Sequence, residues 1–159
     1  MKSIIVYYSL EGNCKLIAES MAKEIGADTL ELKLKKAVPT SAPMKFVIGG
    51  RSAMMKEKPE LSNSAFNIFD YDLVIVGSPV WAGTYAPAIR TFATDAKVQN
   101  KKMAFFACSG GGSTAKCINN MKDTFKSNTY LSEISFVNPL SKDTKGCVNN
   151  AIAWAKGLS

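Results

Sequence analysis

The chain has 159 residues, 47% of them hydrophobic, and carries a formal net charge of +7 at pH 7 with no histidine, which is apolar material enough for one domain built on one core. Its four cysteines (Cys14, Cys108, Cys117, Cys147) are scattered without a C-x-x-C pair, and with histidine missing this excludes the common zinc spacings and the Ser-His and Cys-His nucleophile pairs, so no metal is expected. The lysines are spread along the chain, and the densest groups, Lys33 with Lys35 and Lys36, and Lys101 with Lys102, have no aromatic residues among them; the charge reads as solvated faces, with no nucleic acid as partner.

From the N-terminus, Met1 and Lys2 lead into only a short apolar stretch, Ile4-Ile5-Val6, too short for the core of a signal peptide. Nothing later approaches the ~18 apolar residues of a membrane helix, so the protein is expected to be soluble and cytoplasmic, without a membrane partner. The first strand is predicted over Ser3 to Tyr8. Leu16, Ile17, Met21 and Ile25 then recur at helical spacing, and Gly26 supplies the left-handed residue that ends a helix. A second strand follows at about Thr29 to Leu34. The segment Ala37 to Phe69 has no clear period: Pro39, Pro43 and Pro59 bracket Met44 to Lys58, and it reads as a broken second helix, packed or acting as a lid.

The third strand, Leu73 to Gly77, reads Leu-Val-Ile-Val without alternation, as expected of a strand buried on both sides. A helix is predicted from about Pro87 to Ala96, the fourth strand at Met103 to Cys108, a helix from Thr114 to Phe125, and the fifth strand near Leu131 to Val137. The last helix, about Thr144 to Lys156, puts Cys147, Val148, Ala151, Ile152 and Ala155 on one face. No repeat or linker divides the chain, so residues 1–159 form a single domain. Strands alternating with amphipathic helices predict an α/β fold, a parallel sheet covered on both faces.

In such a sheet ligands sit beyond the carboxyl ends of the strands, near the point where strand order reverses. Three loops there carry the chemistry. Ser9-Leu10-Glu11-Gly12-Asn13-Cys14 leads straight into the first helix, where free backbone N–H groups and the helix dipole favour a phosphate and Gly12 lets the backbone approach closely. The same residues also fit a turn in which Ser9 or Asn13 merely caps the helix. Gly77-Ser78-Pro79-Val80-Trp81-Ala82-Gly83-Thr84 presents a large indole, which suits a planar ligand ring or packing on the domain's own surface. Cys108-Ser109-Gly110-Gly111-Gly112 is either a mobile loop or one that a ligand approaches closely, because consecutive glycines are costly to order.

With these three loops at one end of the sheet, the chain resembles the flavodoxin family in its short form, over essentially its whole length. The resemblance implies a three-layer, doubly wound, five-stranded parallel sheet in the order 2-1-3-4-5 that binds flavin mononucleotide (FMN) noncovalently. Ser9 to Cys14 is similar to the family's phosphate loop, Ser78, Pro79, Val80, Trp81, Ala82, Gly83 and Thr84 to the loop whose aromatic residue covers the flavin ring, and Cys108, Ser109, Gly110, Gly111 and Gly112 to the loop flanking the ring's other side. Glu11 and Cys14 stand where the family usually has threonine, the third loop has no aromatic residue, and the chain is basic where electron-carrier flavodoxins are acidic. One face of the ring is therefore expected to be open. No catalytic side chain is expected, because the flavin carries the chemistry. Two readings follow from the resemblance: an FMN-dependent oxidoreductase that takes electrons from NAD(P)H and passes them to a flat acceptor such as a quinone, or an electron-transfer carrier fed by a redox partner protein. A homodimer is left open. A receiver-type signalling domain shares the strand order but needs an acceptor aspartate where this chain has Val76-Gly77-Ser78-Pro79, and the cysteines read as small buried residues.

Overall fold

The apolar runs form the middle of a parallel sheet in the computed structural model, which describes residues 1–36, 58–63 and 66–159. β1 (Ser3–Tyr7) lies between β2 (Asp28–Glu31) and β3 (Leu73–Trp81), while β4 (Thr84–Tyr85) folds back antiparallel on the end of β3. Beyond β3 come β5 (Lys102–Ser109) and then β6 (Thr129–Val137), both parallel to their neighbours. The long strands stand in the order β2-β1-β3-β5-β6. With the two-residue β4 left out of the count, this is the expected doubly wound order.

Four helices are described: α1 (Asn13–Ile25), α2 (Pro87–Asp95), α3 (Ala115–Thr124) and α4 (Thr144–Lys156). Successive strand residues point to opposite faces, and helices cover both, which is why the strands are continuously apolar. Ile5, Ile75, Ala104 and Phe106 pack with Ile17, Met21, Ala151 and Ala155 from α1 and α4. On the other face Val6, Val76 and Phe105 pack with Ile89, Phe92, Ile118 and Met121 from α2 and α3. Each of these Ile, Val, Phe and Met side chains, fully buried, stabilises the fold by roughly 1.5–3 kcal/mol. α1 ends as its sequence predicts, with Gly26 at φ 68° and its N–H donated to the Ala22 carbonyl.

Two strands differ in length from the sequence reading. β2 stops at Glu31 rather than reaching Leu34, because residues 58–63 take over the backbone of Lys33: its N–H donates to Asn63 Oδ1 (3.0 Å) and its carbonyl accepts the Ser62 N–H (2.7 Å). Leu34 instead forms a single antiparallel bridge with Leu61. β3 runs four residues past Gly77, to Trp81, because β5 pairs with it as far as Pro79 and β4 then supplies an antiparallel partner to Val80 and Trp81. The broken helix expected between Ala37 and Phe69 falls mostly on residues 37–57 and 64–65, outside the described residues. Among the described residues no helix is long and apolar enough to cross a membrane.

Gly77 lies level with Phe106 on the neighbouring strand, and the fully buried Phe106 ring occupies the space that a Cβ at 77 would need. Gly77→Ala is therefore expected to destabilise the protein by about 1–3 kcal/mol, the usual range for overpacking a core. Adding Phe106→Leu should recover part of that loss. Urea denaturation of the two variants beside the parent checks both; a single variant as stable as the parent contradicts the steric argument.

Candidate functional site

The loop after β1 turns on Gly12, whose φ of 105° is a conformation that side-chain-bearing residues avoid. This twist lets Ser9 reach back over the helix start: its Oγ accepts both the Gly12 N–H and the Lys15 N–H, each at 3.2 Å. The first intrahelical bond of α1 runs from the Leu16 N–H to the Gly12 carbonyl (3.0 Å). The N–H groups of Asn13 and Cys14 accordingly have no acceptor among the described residues, and they stand in the first turn, at the positive end of the helix dipole. Ser9 thus serves as a cap, and its own O–H has no acceptor among the described residues. The Asn13 side chain is partly committed, with Oδ1 accepting the Leu140 N–H (3.0 Å). Glu11 is exposed at the rim.

The second wall is a hairpin. Trp81 pairs with Thr84 across a two-residue turn, Ala82-Gly83, in which both residues have positive φ (50° and 78°); this is the mirror-image turn whose twist suits adjacent antiparallel strands. Ser78 is fully buried and braces the hairpin from inside, donating to the Pro79 carbonyl and accepting the Ala86 N–H, both at 2.8 Å. Trp81 stands edge-on to Tyr8, ring centroids 5.4 Å apart at 86°, a favoured aromatic geometry. Half-buried, the indole closes against the core on one side and faces the cleft with the other.

The third wall is the loop after β5. Ser109 is buried, and its Oγ accepts the Gly111 N–H (3.4 Å). Asn138, the residue that follows β6, is hydrogen-bonded to this loop through its N–H to the Ser109 carbonyl (2.9 Å) and its Nδ2 to the Gly110 carbonyl (3.5 Å). Gly110, Gly111 and Gly112 are exposed, and a Cβ added at any of them would meet nothing within 4 Å.

These walls enclose one cleft of about 230 Å3, lined by Ser9, Leu10, Glu11, Asn13, Cys14, Pro79, Val80, Trp81, Ala82, Cys108, Ser109, Gly110 and Asn138. Twelve of these thirteen come from the three loops singled out by sequence. Of the other expected residues, Ser78 and Thr84 are buried within the hairpin, Gly83 forms its turn, Gly111 and Gly112 are exposed in the third loop, and Gly12 sets the turn of the first; none of these six is among the residues lining the cleft. Sequence reasoning missed Asn138. Its signal was present: an Asn-Pro pair directly after the fifth predicted strand, at the same carboxyl edge as the other loops.

The Cys14 and Cys117 thiols are kept neutral. Burial and a hydrogen bond with the Cys108 side chain push the Cys14 thiol well above its ordinary value of 9.0, and burial pushes Cys117, on α3, up to about 12. Burial likewise raises the Tyr8 phenol from 10.0 to about 12. Cys14 therefore brings the cleft a backbone N–H and no thiolate. Among the described residues no group of three His, Cys, Asp or Glu side chains is placed to hold a metal.

The sequence profile of the flavodoxin family matches residues 2–150, and the protein belongs to that family. Among solved structures, a flavoprotein from Lactobacillus acidophilus NCFM in complex with FMN is 24% identical, with 91% of this chain and 97% of that one covered and a TM-score of 0.75. The apo-form of the flavoprotein from the same organism is 26% identical over 89% of this chain and 95% of that one, with a TM-score of 0.67. The two-electron reduced flavodoxin of Megasphaera elsdenii is 18% identical over 97% and 98%, with a TM-score of 0.54. The likeness to these three is one of fold.

The raised thiols make a pH prediction. Because the folded-state pKa lies above the unfolded value, the stability these groups contribute is full below pH 9.0 and is lost as pH rises toward about 12. Denaturation midpoints should therefore fall across that interval, and Cys117→Ala should flatten the fall. An equal slope in parent and variant would rule out the thiol as its source.

Proposed function

We propose that the cleft holds FMN, with the phosphate on the Asn13 and Cys14 N–H groups and the Ser9 hydroxyl, Trp81 against one face of the ring, and the backbone of residues 108–110 along its far edge. The observation that carries this reading is the pair of amides at the start of α1 that have no acceptor among the described residues, set in the same cleft as a half-buried indole. The residues present fit the group: backbone and hydroxyl donors suit an anion at a helix start, no cationic side chain lines the cleft among the described residues, and a planar ring finds a planar wall. Membership of the flavodoxin family makes FMN the cofactor expected in such a cleft.

When bound, FMN supplies electron transfer in one- or two-electron steps, and the protein supplies position and electrostatics. The α1 dipole and its free N–H groups orient the phosphate end. Trp81, held by Tyr8, fixes the plane of the ring. Tyr8 and Cys14 both stay protonated near neutral pH, so neither places a negative charge beside a reduced ring. Among the described residues Trp81 is the one aromatic residue lining the cleft, and the bare Gly110 side leaves room for a second flat molecule. We read the protein on this basis as an FMN-dependent oxidoreductase that takes electrons from NAD(P)H and delivers them to a flat acceptor such as a quinone. The four free cysteines suit a reducing cytoplasm.

The purified protein should be yellow, or should quench the fluorescence of added FMN in proportion to the protein present. A colourless protein that leaves FMN fluorescence unchanged defeats the cofactor assignment. With FMN loaded, steady-state assays with NADH or NADPH and a quinone should show turnover. No turnover with either, together with two well-separated one-electron potentials, would instead favour a carrier working between protein partners.

A further inference from the structure

We propose that Asn120, on α3 and absent from the cleft wall, is a positioning residue for Trp81, acting through Thr84. Asn120 Nδ2 donates to Thr84 Oγ1 at 2.7 Å. Thr84 is the residue directly across the strand pair from Trp81, and facing residues of a tight antiparallel pair move together because their Cβ atoms lie on one face only about 5 Å apart. One residue further on, the Tyr85 hydroxyl pairs with Thr124 Oγ1 at 2.6 Å, so the short arm of the hairpin is tied to the same helix twice, one turn apart.

These ties matter because the turn they hold is strained. Ala82 is kept at φ 50°, which a residue with a Cβ adopts only where its surroundings enforce it. Thr84 is only 8% exposed, so its hydroxyl has little water to replace a lost partner. The helix that bears Asn120 starts just after the glycine loop, with Thr114 Oγ1 held to Ser135 Oγ at 2.7 Å. α3 is therefore a spacer with the glycine wall at one end and the Trp81 wall along its side, and the Asn120–Thr84 bond sets the angle of the indole. Its consequence for flavin binding rests on the FMN reading given above; the placement of Trp81 itself does not.

The test uses Trp154→Phe as parent, so that Trp81 is the single tryptophan, and compares Asn120→Ala, Thr84→Val and the double variant without flavin. Both single variants should shift Trp81 emission to longer wavelength and raise its quenching by acrylamide, to the same extent, with the double variant going no further. Thr91→Val, which removes the bond from Thr91 to the Pro59 carbonyl, serves as a purely structural control and should lower stability without moving Trp81 emission. In the same proteins the FMN dissociation constant should rise roughly threefold to tenfold for the Asn120 and Thr84 variants, the range of one lost hydrogen bond. Unchanged emission in both single variants, or shifts that simply add in the double, would overturn the proposal. If the parent takes up no FMN, the cofactor reading falls while the emission comparison still decides this one.

Discussion

Tyr7 lies level with Gly77, Gly77 with Phe106, and Pro79 with Cys108. That parallel register is the constraint on which the rest of the molecule depends. It brings the carboxyl ends of β1, β3 and β5 to one edge of the sheet, and because β2 lies on one side of β1 while β5 and β6 lie beyond β3, the loops after β1 and β3 diverge there and leave an opening. A shift of one residue would turn every inward side chain to the opposite face, exchanging Tyr7, packed toward α1, with Tyr8, packed toward Trp81. The aromatic wall of the cleft is thus a consequence of strand register before it is a property of the loop that bears it.

The three walls are held by different physics. The first is electrostatic, a helix start whose leading N–H groups find no acceptor among the described residues. The second is a strained turn kept in place by many small restraints: the Ser78 clamp beneath it, the Tyr8 edge contact, the Arg90 guanidinium 5.1 Å over the Tyr85 ring, and the two bonds to α3. Each contributes about 0.5–1.5 kcal/mol, and together they outweigh the roughly 1–2 kcal/mol of the left-handed alanine. The third wall is set by the Asn138 backbone and amide, which tie the glycine loop to the end of β6.

Much of this was legible in the sequence, for reasons that also mark where legibility ended. Leu73 to Val76 has no polar alternation, and a strand buried on both faces has no other appearance. Gly26 and the Ile17, Met21 spacing gave α1 its end and its buried face. The loops could be found because a rule of topology, rather than a motif, says where in an open parallel sheet to look. What could not be read was local and conditional. β3 continues beyond Pro79 to Trp81 because residues 84–85 fold back upon it, and a two-residue partner leaves no period. The role of Ser78 is another such case: a polar residue on a loop is ambiguous until its partners are seen, and here its hydroxyl accepts the Ala86 N–H from within the hairpin. Asn138 was within reach of the same rule and was missed because the rule was applied to three strand ends rather than to all of them.

The glycines separate structural from functional demands. Gly77 is required by the protein itself, since the Phe106 ring fills the place of its side chain. Gly12 is required by its backbone angle and by Leu140, whose Cδ1 lies 3.2 Å from where a Cβ would stand. Gly110 and Gly112 meet neither demand: both have open space around them, and neither has a positive φ. Ordering residues without side chains costs conformational entropy and returns no packing, so internal stability gives no reason for glycine at these two positions. On the FMN reading the reason lies outside the chain. A wall without side chains would let a flat molecule approach the flavin edge to backbone distance, and neither a histidine nor a Cys14 thiolate stands in the cleft to serve it as an acid–base partner.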